Sequence, residues 1–514
     1  MKVVLLSPNP PDCVSFGPRT LAALLRERGI DCSVVFLRGS VKKNRFDGSF
    51  VYQYPPSMLA DIRAICADAD VVGVSFMSLY WDRAVQLTRF VQDTLGKRVI
   101  WGGTHPTLRP ESSIRIADYV CVGEGEVAFS EWLDRVASGG DLTSVQGIWA
   151  RDADGTIHRN GEAELVSDLD SIPWPDFDTD GHFVDDGPRV VPMSTEMMYR
   201  VLPRLPGPDG TQNIGIRVMA TRGCPHRCTY CASSAQTAMR RRSVDSTIAH
   251  MRWLKERYPF LQAFYEFDDT FFATPKKWLQ GFATRFQAEI GLPWYCQTSP
   301  STLRRDRLEM LCDAGLIWCE MGLQSGSEEI KTLFKRSETD QMVHDAANLL
   351  HEFWQQGRIL EPRYHIITDV PWESADSVMQ TIRMLVDLPR PFSLAIGSLC
   401  LFPGTYLNER ARADGLLWDE VNQVYRKPFL RPKPNLLNWF IYASQMPWIP
   451  QGALQKAVEA GVVERFGADR GETATPVTRA MHLTTNLIDR VPRAWDAVRH
   501  RNVERIRRRF DHPA

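Results

Sequence analysis

Three of the chain's eleven cysteines fall within eight residues, in the run Arg222-Gly223-Cys224-Pro225-His226-Arg227-Cys228-Thr229-Tyr230-Cys231. The spacing is C-x3-C-x2-C. Thiolate sulfur is the ligand that iron–sulfur clusters take, and a short loop can set several sulfurs around one cube. Four cysteines would saturate a four-iron cluster. Three leave one iron open, as catalytic metal sites leave a position for substrate. Gly223 and Pro225 suit a tight loop rather than a helix. A Cys3His zinc site is the competing chemistry, but His226 lies between two of the cysteines and would strain a tetrahedron. The remaining cysteines, 13, 32, 66, 121, 296, 312, 319 and 400, sit mostly in apolar strands or helices, where core packing is the expected role.

The totals limit what surrounds this loop. With 514 residues, 44% of them hydrophobic, the chain can build two to four domains with large cores. A formal net charge of −1 gives no global attraction to nucleic acid or membrane. The N-terminal apolar run is too short for a signal peptide and reads as a first strand. No apolar run is long enough to span a membrane. The expectation is a cytoplasmic protein with reduced thiols, no nucleic-acid partner and no stable membrane insertion.

Residues 1–150 alternate strand and helix signals, from the apolar run 2–7 through 32–37, 71–76, 98–103 and 119–126. Five short strands with helical crossovers predict a doubly wound parallel sheet, whose ligands bind beyond the carboxyl ends of the strands. Gly102-Gly103 and Gly123-Glu124-Gly125-Glu126 lie at those ends. Residues 151–213 carry a D-G turn and proline-rich stretches and read as a linker with a small hairpin. Residues 214–410 return to strand–helix alternation. Six βα units predict a partial (β/α)6 barrel with its chemistry at the strand C-termini, and the cysteine loop follows the first of its strands. Residues 411–514 read as a helical region with an Arg-rich end, 499–509, most simply a solvated face. The aromatic run 435–450 is expected to pack as a helix across the barrel mouth. The fold class is α/β throughout.

C-x3-C-x2-C after the first strand of a (β/α) barrel resembles the signature of the radical S-adenosylmethionine (SAM) enzymes. The resemblance makes Cys224, Cys228 and Cys231 the ligands of a [4Fe-4S] cluster whose open iron chelates SAM. In that family one electron cleaves SAM to a 5′-deoxyadenosyl radical, which abstracts a substrate hydrogen. "FYEFDDT" (264–270) looks like the family's acidic stretch, with Asp268 and Asp269 as acceptors for the SAM ammonium or as local caps. "MGLQSGSEEI" (321–330) resembles the G-x-E-S-G-S segment, with Gln324 in the place of the usual Glu and Ser325 beside it. "TDVPWES" (368–374) stands where the family often has G-x-P-G-E, but Asp369 and Trp372 replace both glycines. "LFPGTYL" (401–407) is similar to the P-G-T segment near the barrel's end.

Residues 1–150 resemble the cobalamin-binding domain fused to one branch of that family, through "VVGVSFMSLYW" (71–81), "IWGGTHPTLRPE" (100–111) and "DYVCVGEGEVAF" (118–129). Ser75, Ser78, Gly102, Gly103 and Thr104 are the implied contacts to the cofactor's nucleotide tail, with Gly123 and Glu124 completing the pocket. His105 is expected to be a hydrogen-bonded loop histidine rather than a cobalt ligand. Asp12-Cys13-Val14-Ser15-Phe16-Gly17 has the spacing of D-x-H-x-x-G with Val14 at the histidine position, which predicts cobalamin without a histidine on cobalt. The loop lacks G-x-G-x-x-G, so a nicotinamide cofactor is disfavoured.

The resemblance as a whole implies a cobalamin-dependent radical SAM enzyme. Its expected reaction transfers a methyl group from methylcobalamin to an unactivated carbon, or to phosphorus. A radical cyclisation or rearrangement is the alternative within the enzyme class; a redox- or ligand-sensing binding protein is the alternative outside it. The implied partners are a small-molecule biosynthetic intermediate and an electron donor such as flavodoxin or ferredoxin.

Overall fold

The computed structural model describes residues 1–9, 13–39, 41–44, 50–235, 239–461 and 475–484. Asp12 and the Arg-rich end at 499–509 lie outside the described residues. The chain forms two compact units. The first contains Met1–Pro203, Arg240–Phe260 and Phe402–Lys427; the second contains Arg204–Met239, Leu261–Leu401 and the residues from Pro428 onward.

The first unit is built on a parallel sheet. Its centre is β1 (Lys2–Ser7), β2 (Asp31–Phe36), β3 (Val71–Ser75), β4 (Val99–Gly102) and β5 (Tyr119–Cys121), in the spatial order β2-β1-β3-β4-β5. These strands are near-continuous apolar runs because helices cover both faces. Val4, Leu6, Val35, Val72, Val74 and Trp101 share one buried core. The order reverses at β1, so the crevice between the loops after β1 and β3 is the topological switch point where such sheets bind ligands.

The expected linker is largely part of this sheet. Ile148–Arg151 pairs antiparallel with β5 and is followed by Ile157–His158, the hairpin of the D-G turn. On the other side Phe183–Asp186 pairs parallel with β2, and Arg189–Pro192 closes that edge. The prolines of 173–208 hid these strands, since each is only four residues long.

The second unit carries six parallel strands, as the pattern predicts: β6 (Gln212–Val218), β7 (Ala263–Glu266), β8 (Trp294–Thr298), β9 (Leu316–Gln324), β10 (Arg363–Thr368) and β11 (Ser393–Ser398). Arg204–Pro206 adds an antiparallel strand beside β6. Strand alternation puts Tyr265, Gln297, Glu320 and His365 on the inner face, and Phe264, Glu266, Cys296 and Tyr364 on the face covered by helices. Leu205, Ala263, Tyr265, Tyr295 and Trp318 pack as one apolar cluster at the base of the inner face. Of the aromatic run 435–450, Leu436–Ala443 is helical and buries Leu437, Phe440 and Ile441, packing on the helix Ala375–Asp387. Among the described residues no helix is long and apolar enough to cross a membrane.

Candidate functional site

The cysteine loop leaves the carboxyl end of β6 and is held from two sides. Asp268, just past β7, accepts the backbone N–H groups of Ala220 and Thr221 on one carboxylate oxygen, at 3.0 and 2.9 Å. On the other side Thr229 donates its N–H to Phe334 O at 3.2 Å and its hydroxyl to Leu333 O at 2.6 Å. Tyr230 packs edge-on against Phe334. The turn closes on itself through Cys231 N–H to Cys228 O, at 3.1 Å. Cys228 is buried and Cys224 and Cys231 are half-buried. Burial pushes the Cys224 and Cys231 thiols up, which favours protons until a metal displaces them.

A cation stands beside the thiols. Arg336 is almost fully buried, pairs with Glu338 at 2.9 Å and donates to Gly322 O at 2.7 Å. A guanidinium nitrogen also lies 3.9 Å from Cys228 Sγ. Its Nε is buried with no hydrogen-bond partner among the described residues. Buried charge is costly unless answered; Glu338 answers that of Arg336, and the guanidinium still reaches Cys228 Sγ. Among the described residues no three His, Cys, Asp or Glu converge to hold a single metal ion. Cluster cysteines need not converge, because each binds a different iron. His226, the fourth ligand a Cys3His zinc site would need, has its Nε2 3.3 Å from Ser299 Oγ.

The structure distributes the four expected SAM contacts unequally. Asp269 lies within electrostatic reach of Cys224 and Cys231 and receives the Ser233 hydroxyl at 3.5 Å, so it faces the cysteine loop. Asp268 is turned the other way, 1% exposed, and braces Ala220 and Thr221. Burial raises its carboxyl to about 7 although those two N–H groups pull it down. Neighbouring Glu266 is fully buried with both carboxylate oxygens unpartnered among the described residues; burial and then Asp268 push it well above the carboxylate range. Gln324 sits at a register shift in β9 with φ 69°, and its amide nitrogen is only 2.6 Å from where a Cβ on Gly322 would stand. The Gln324 side chain thus folds back over Gly322, and a larger residue there would displace its amide. Ser325 is 1% exposed and bonds Thr381 Oγ1 and Ser327 N–H, so it shapes the turn from inside.

Asp369, where the family has glycine, keeps a glycine-like φ of 58°. Its carboxylate accepts from Lys433 N–H at 3.0 Å and from Asn438 Nδ2 at 2.8 Å, which holds the left-handed turn without glycine.

In the first unit the loops after β1, β3, β4 and β5 gather at the switch-point end. Gly103 has φ 94°, and a Cβ there would stand 2.9 Å from Phe76 N and O and 3.0 Å from Ser75 Oγ. The β3 and β4 loops therefore touch backbone to backbone, as a cradle for an inserted cofactor tail requires. Ser75, Gly102 and Thr104 flank this contact, half-buried. Asn9 donates to Ser7 Oγ and Ser75 O across the switch point, while its Oδ1 is buried without a partner among the described residues. These features fit a cobalamin tail. Other expected contacts have protein partners. Ser78 is buried against His105 Nδ1 at 2.9 Å. Thr107 Oγ1 accepts the Gly123 N–H at 3.0 Å. Glu124 is locked by Arg240, whose guanidinium reaches both carboxylate oxygens. Val14 is buried in the loop after β1.

Sequence reasoning did not find the pieces around His105. Tyr425, Trp81 and Phe76 enclose its ring, and Arg109 ties Glu420, Glu409 and Asn408. Residues 402–427 thus dock on the first unit, although the βα count assigns part of them to the barrel. Arg336 was also missed; its position 14 residues beyond Gly322, across a helix, leaves no local signal.

A doubly wound sheet, a six-stranded half-barrel and a three-cysteine loop at the end of the half-barrel's first strand define an iron–sulfur enzyme of the radical type. The model of the B12 binding domain matches residues 2–133, and that of the radical SAM superfamily matches residues 218–386. An uncharacterised methyltransferase of Pyrococcus horikoshii is 26% identical over 360 residues, 68% of this chain and 71% of that one. The cytidylyl-2-hydroxyethylphosphonate methyltransferase of Streptomyces wedmorensis is 24% identical over 372 residues, 65% of this chain and 67% of that one. The fold is shared with the radical SAM methyltransferase TsrM of Kitasatospora setae, with TM-score 0.59, 16% identity, and coverage of 80% of this chain and 75% of that one. It is also shared with the cobalamin-dependent SAM radical enzyme OxsB, with TM-score 0.63, 14% identity, and coverage of 95% and 70%. The chain belongs to the cobalamin-dependent, B12-binding-domain branch of the radical SAM enzymes. The cofactors of that branch are a [4Fe-4S] cluster, SAM and cobalamin.

Proposed function

We propose that the chain is a cobalamin-dependent radical SAM methyltransferase that methylates an unactivated carbon, or phosphorus, of a small biosynthetic intermediate. The cysteine loop carries this reading: three thiols on a turn braced by Asp268 and Thr229, with Arg336 against Cys228. The bound cofactors supply a cobalt-borne methyl group and a 5′-deoxyadenosyl radical. The protein's part is to hold and orient. Cys224, Cys228 and Cys231 hold the cluster. Asp269 takes the SAM ammonium and Gln324 a ribose hydroxyl. The Gly103 cradle with Ser75 and Thr104 holds the cobalamin tail. Asp268, Ser325, Ser78 and Glu124 act behind these contacts by fixing the loops. The methyltransferase names of the curated relatives favour methyl transfer over rearrangement. A cytoplasmic setting and a flavodoxin or ferredoxin donor follow from a cluster that must be reduced before each radical forms.

The deciding experiment is anaerobic turnover of the reconstituted protein. Methyl transfer produces 5′-deoxyadenosine together with S-adenosylhomocysteine. The deoxyadenosine without S-adenosylhomocysteine means rearrangement, and neither product means a sensor. Replacing any of the three cysteines by alanine abolishes the 5′-deoxyadenosine.

A further inference from the structure

The inner face of the half-barrel is layered. At its base lies the apolar cluster of Leu205, Ala263, Tyr265, Tyr295 and Trp318. At the carboxyl ends lie Gly322 and Gln324. Between them runs a polar row at one hydrogen-bonded level, where Gln297 pairs with Glu320 and Glu320 pairs with Arg363. Glu320 is two residues before Gly322 on β9, about 7 Å lower by the rise of a strand. That separation is the length of a small molecule's polar end beneath the cofactor level.

Glu320 is the hub of this row. Tyr265 donates its hydroxyl to Glu320 Oε2 at 2.7 Å, and Gln297 Nε2 donates to the Tyr265 hydroxyl at 3.2 Å. On the other side Arg363 approaches Oε1 and His365 Nε2 approaches Oε2, both at 3.4 Å. Burial would raise the Glu320 carboxyl, but His365, Tyr265 and Arg363 together hold it below its ordinary value. Glu320 is thus a fixed anion already satisfied by its neighbours.

The two β10 residues differ from it. Their contacts to Glu320 are long, and their side chains remain 41% and 37% exposed against 11% for Glu320. The next strand offers only small side chains beside them. Ser393 stands opposite Arg363, Ala395 opposite His365 and Gly397 opposite Ile367. Space is therefore left on the side of Arg363 and His365 that faces away from Glu320. Across the barrel Arg217 lies over the Phe267 ring at 4.8 Å, a second guanidinium on the same face.

We infer that Arg363 and His365, positioned by Glu320 and Tyr265 and backed by Ser393 and Ala395, form the seat for an oxyanion group of the substrate, a carboxylate or a phosphoryl group. A planar guanidinium binds either through paired charge-assisted hydrogen bonds. The inference rests on the radical methyltransferase reading and names the substrate class of its barrel.

The test uses ethylphosphonate, propionate and ethylammonium, titrated calorimetrically into the reconstituted full-length enzyme with SAM present. One or both anions bind at one per chain and ethylammonium does not. A preference for ethylphosphonate assigns a phosphoryl group, and a preference for propionate a carboxylate. Arg363→Gln weakens the anion tenfold or more, and Arg363→Lys restores part of the loss. Ala395→Phe fills the space without changing charge and also removes binding, which separates the seat from general folding. Iron content is measured on each variant to confirm an assembled barrel. Binding of ethylammonium alone, no anion binding, or anion binding that survives both Arg363→Gln and Ala395→Phe overturns the inference. 5′-Deoxyadenosine formed by the same wild-type preparation reports on the radical reading separately.

Discussion

Arg336 places one guanidinium nitrogen 3.9 Å from Cys228 Sγ and another 2.7 Å from Gly322 O, joining the cysteine loop to the strand that ends at Gln324. A buried cation beside a cluster thiolate stabilises the more negative, reduced state and so raises the cluster potential. Arg336→Gln is expected to shift the midpoint potential to more negative values, read by redox titration followed by electron paramagnetic resonance. The same change takes the charge partner from buried Glu338 and leaves it the Ser301 hydroxyl, at a cost of about 3–5 kcal/mol. The double variant Arg336→Gln, Glu338→Gln recovers most of that stability and a smaller part of the potential, since the anion is removed with the cation. An unchanged potential in the single variant Arg336→Gln would show that Arg336 only braces the loop.

Asp268 predicts a pH dependence with a definite sign. Its carboxyl lies at about 7 in the fold because it is buried, against about 3.9 in an unfolded chain. Between those values the folded state holds a proton that the unfolded state has released. Stability is therefore full below about pH 4 and falls as pH rises toward 7. Glu266 shifts in the same direction and deepens the loss. Asp268→Asn keeps an acceptor for Ala220 and Thr221 and carries no charge, so the slope of urea-unfolding stability against pH flattens. Asp268→Ala leaves two backbone donors unmet and costs about 1–3 kcal/mol at pH 5.

Much of the architecture was legible because its signals are local. Buried parallel strands read as apolar runs, and all six barrel strands and the cysteine loop stand where their patterns put them. What was not legible depends on partners far along the chain. Glu124 carries nothing locally to say that Arg240, 116 residues on, will occupy it. Ser325 matches a binding motif, yet Thr381 claims its hydroxyl. Asp268 and Asp269 are adjacent in a strand-end segment, so they point opposite ways and only one can face the cysteines. Asp369 shows the reverse case: the residue type departs from the family while the backbone does not.

Gln324 occupies the left-handed region, where asparagine is better tolerated than most side chains. Gln324→Asn should change folding stability by less than about 0.5 kcal/mol. It also withdraws the amide by one methylene from the position it now holds over Gly322. Loss of one hydrogen bond to a ribose hydroxyl predicts a several-fold to tenfold weaker SAM affinity, since a neutral hydrogen bond contributes about 0.5–1.5 kcal/mol. Equilibrium binding of SAM to the reconstituted protein measures this. Unaltered affinity would remove Gln324 from the SAM site.

Cobalt should have no histidine ligand in this protein. The position that carries histidine in the D-x-H-x-x-G pattern is Val14, whose apolar side chain is 3% exposed in the loop after β1. The remaining local candidate is His105, and the fold has closed it off. Its ring is fully buried, its Nδ1 is bonded to Ser78, and Phe76, Trp81 and Tyr425 pack around it at centroid distances of 5.2, 4.8 and 4.9 Å. Burial lowers its pKa to about 3, so it stays neutral throughout the working pH range and has no charge to drive it out. Releasing it would open a packed aromatic cage, an event costing several kcal/mol. The Co(II) form of the loaded enzyme should therefore give an electron paramagnetic resonance spectrum without nitrogen superhyperfine splitting, and His105→Phe should leave that spectrum unaltered. Nitrogen splitting that disappears in His105→Phe would mean the cage opens when cobalamin binds.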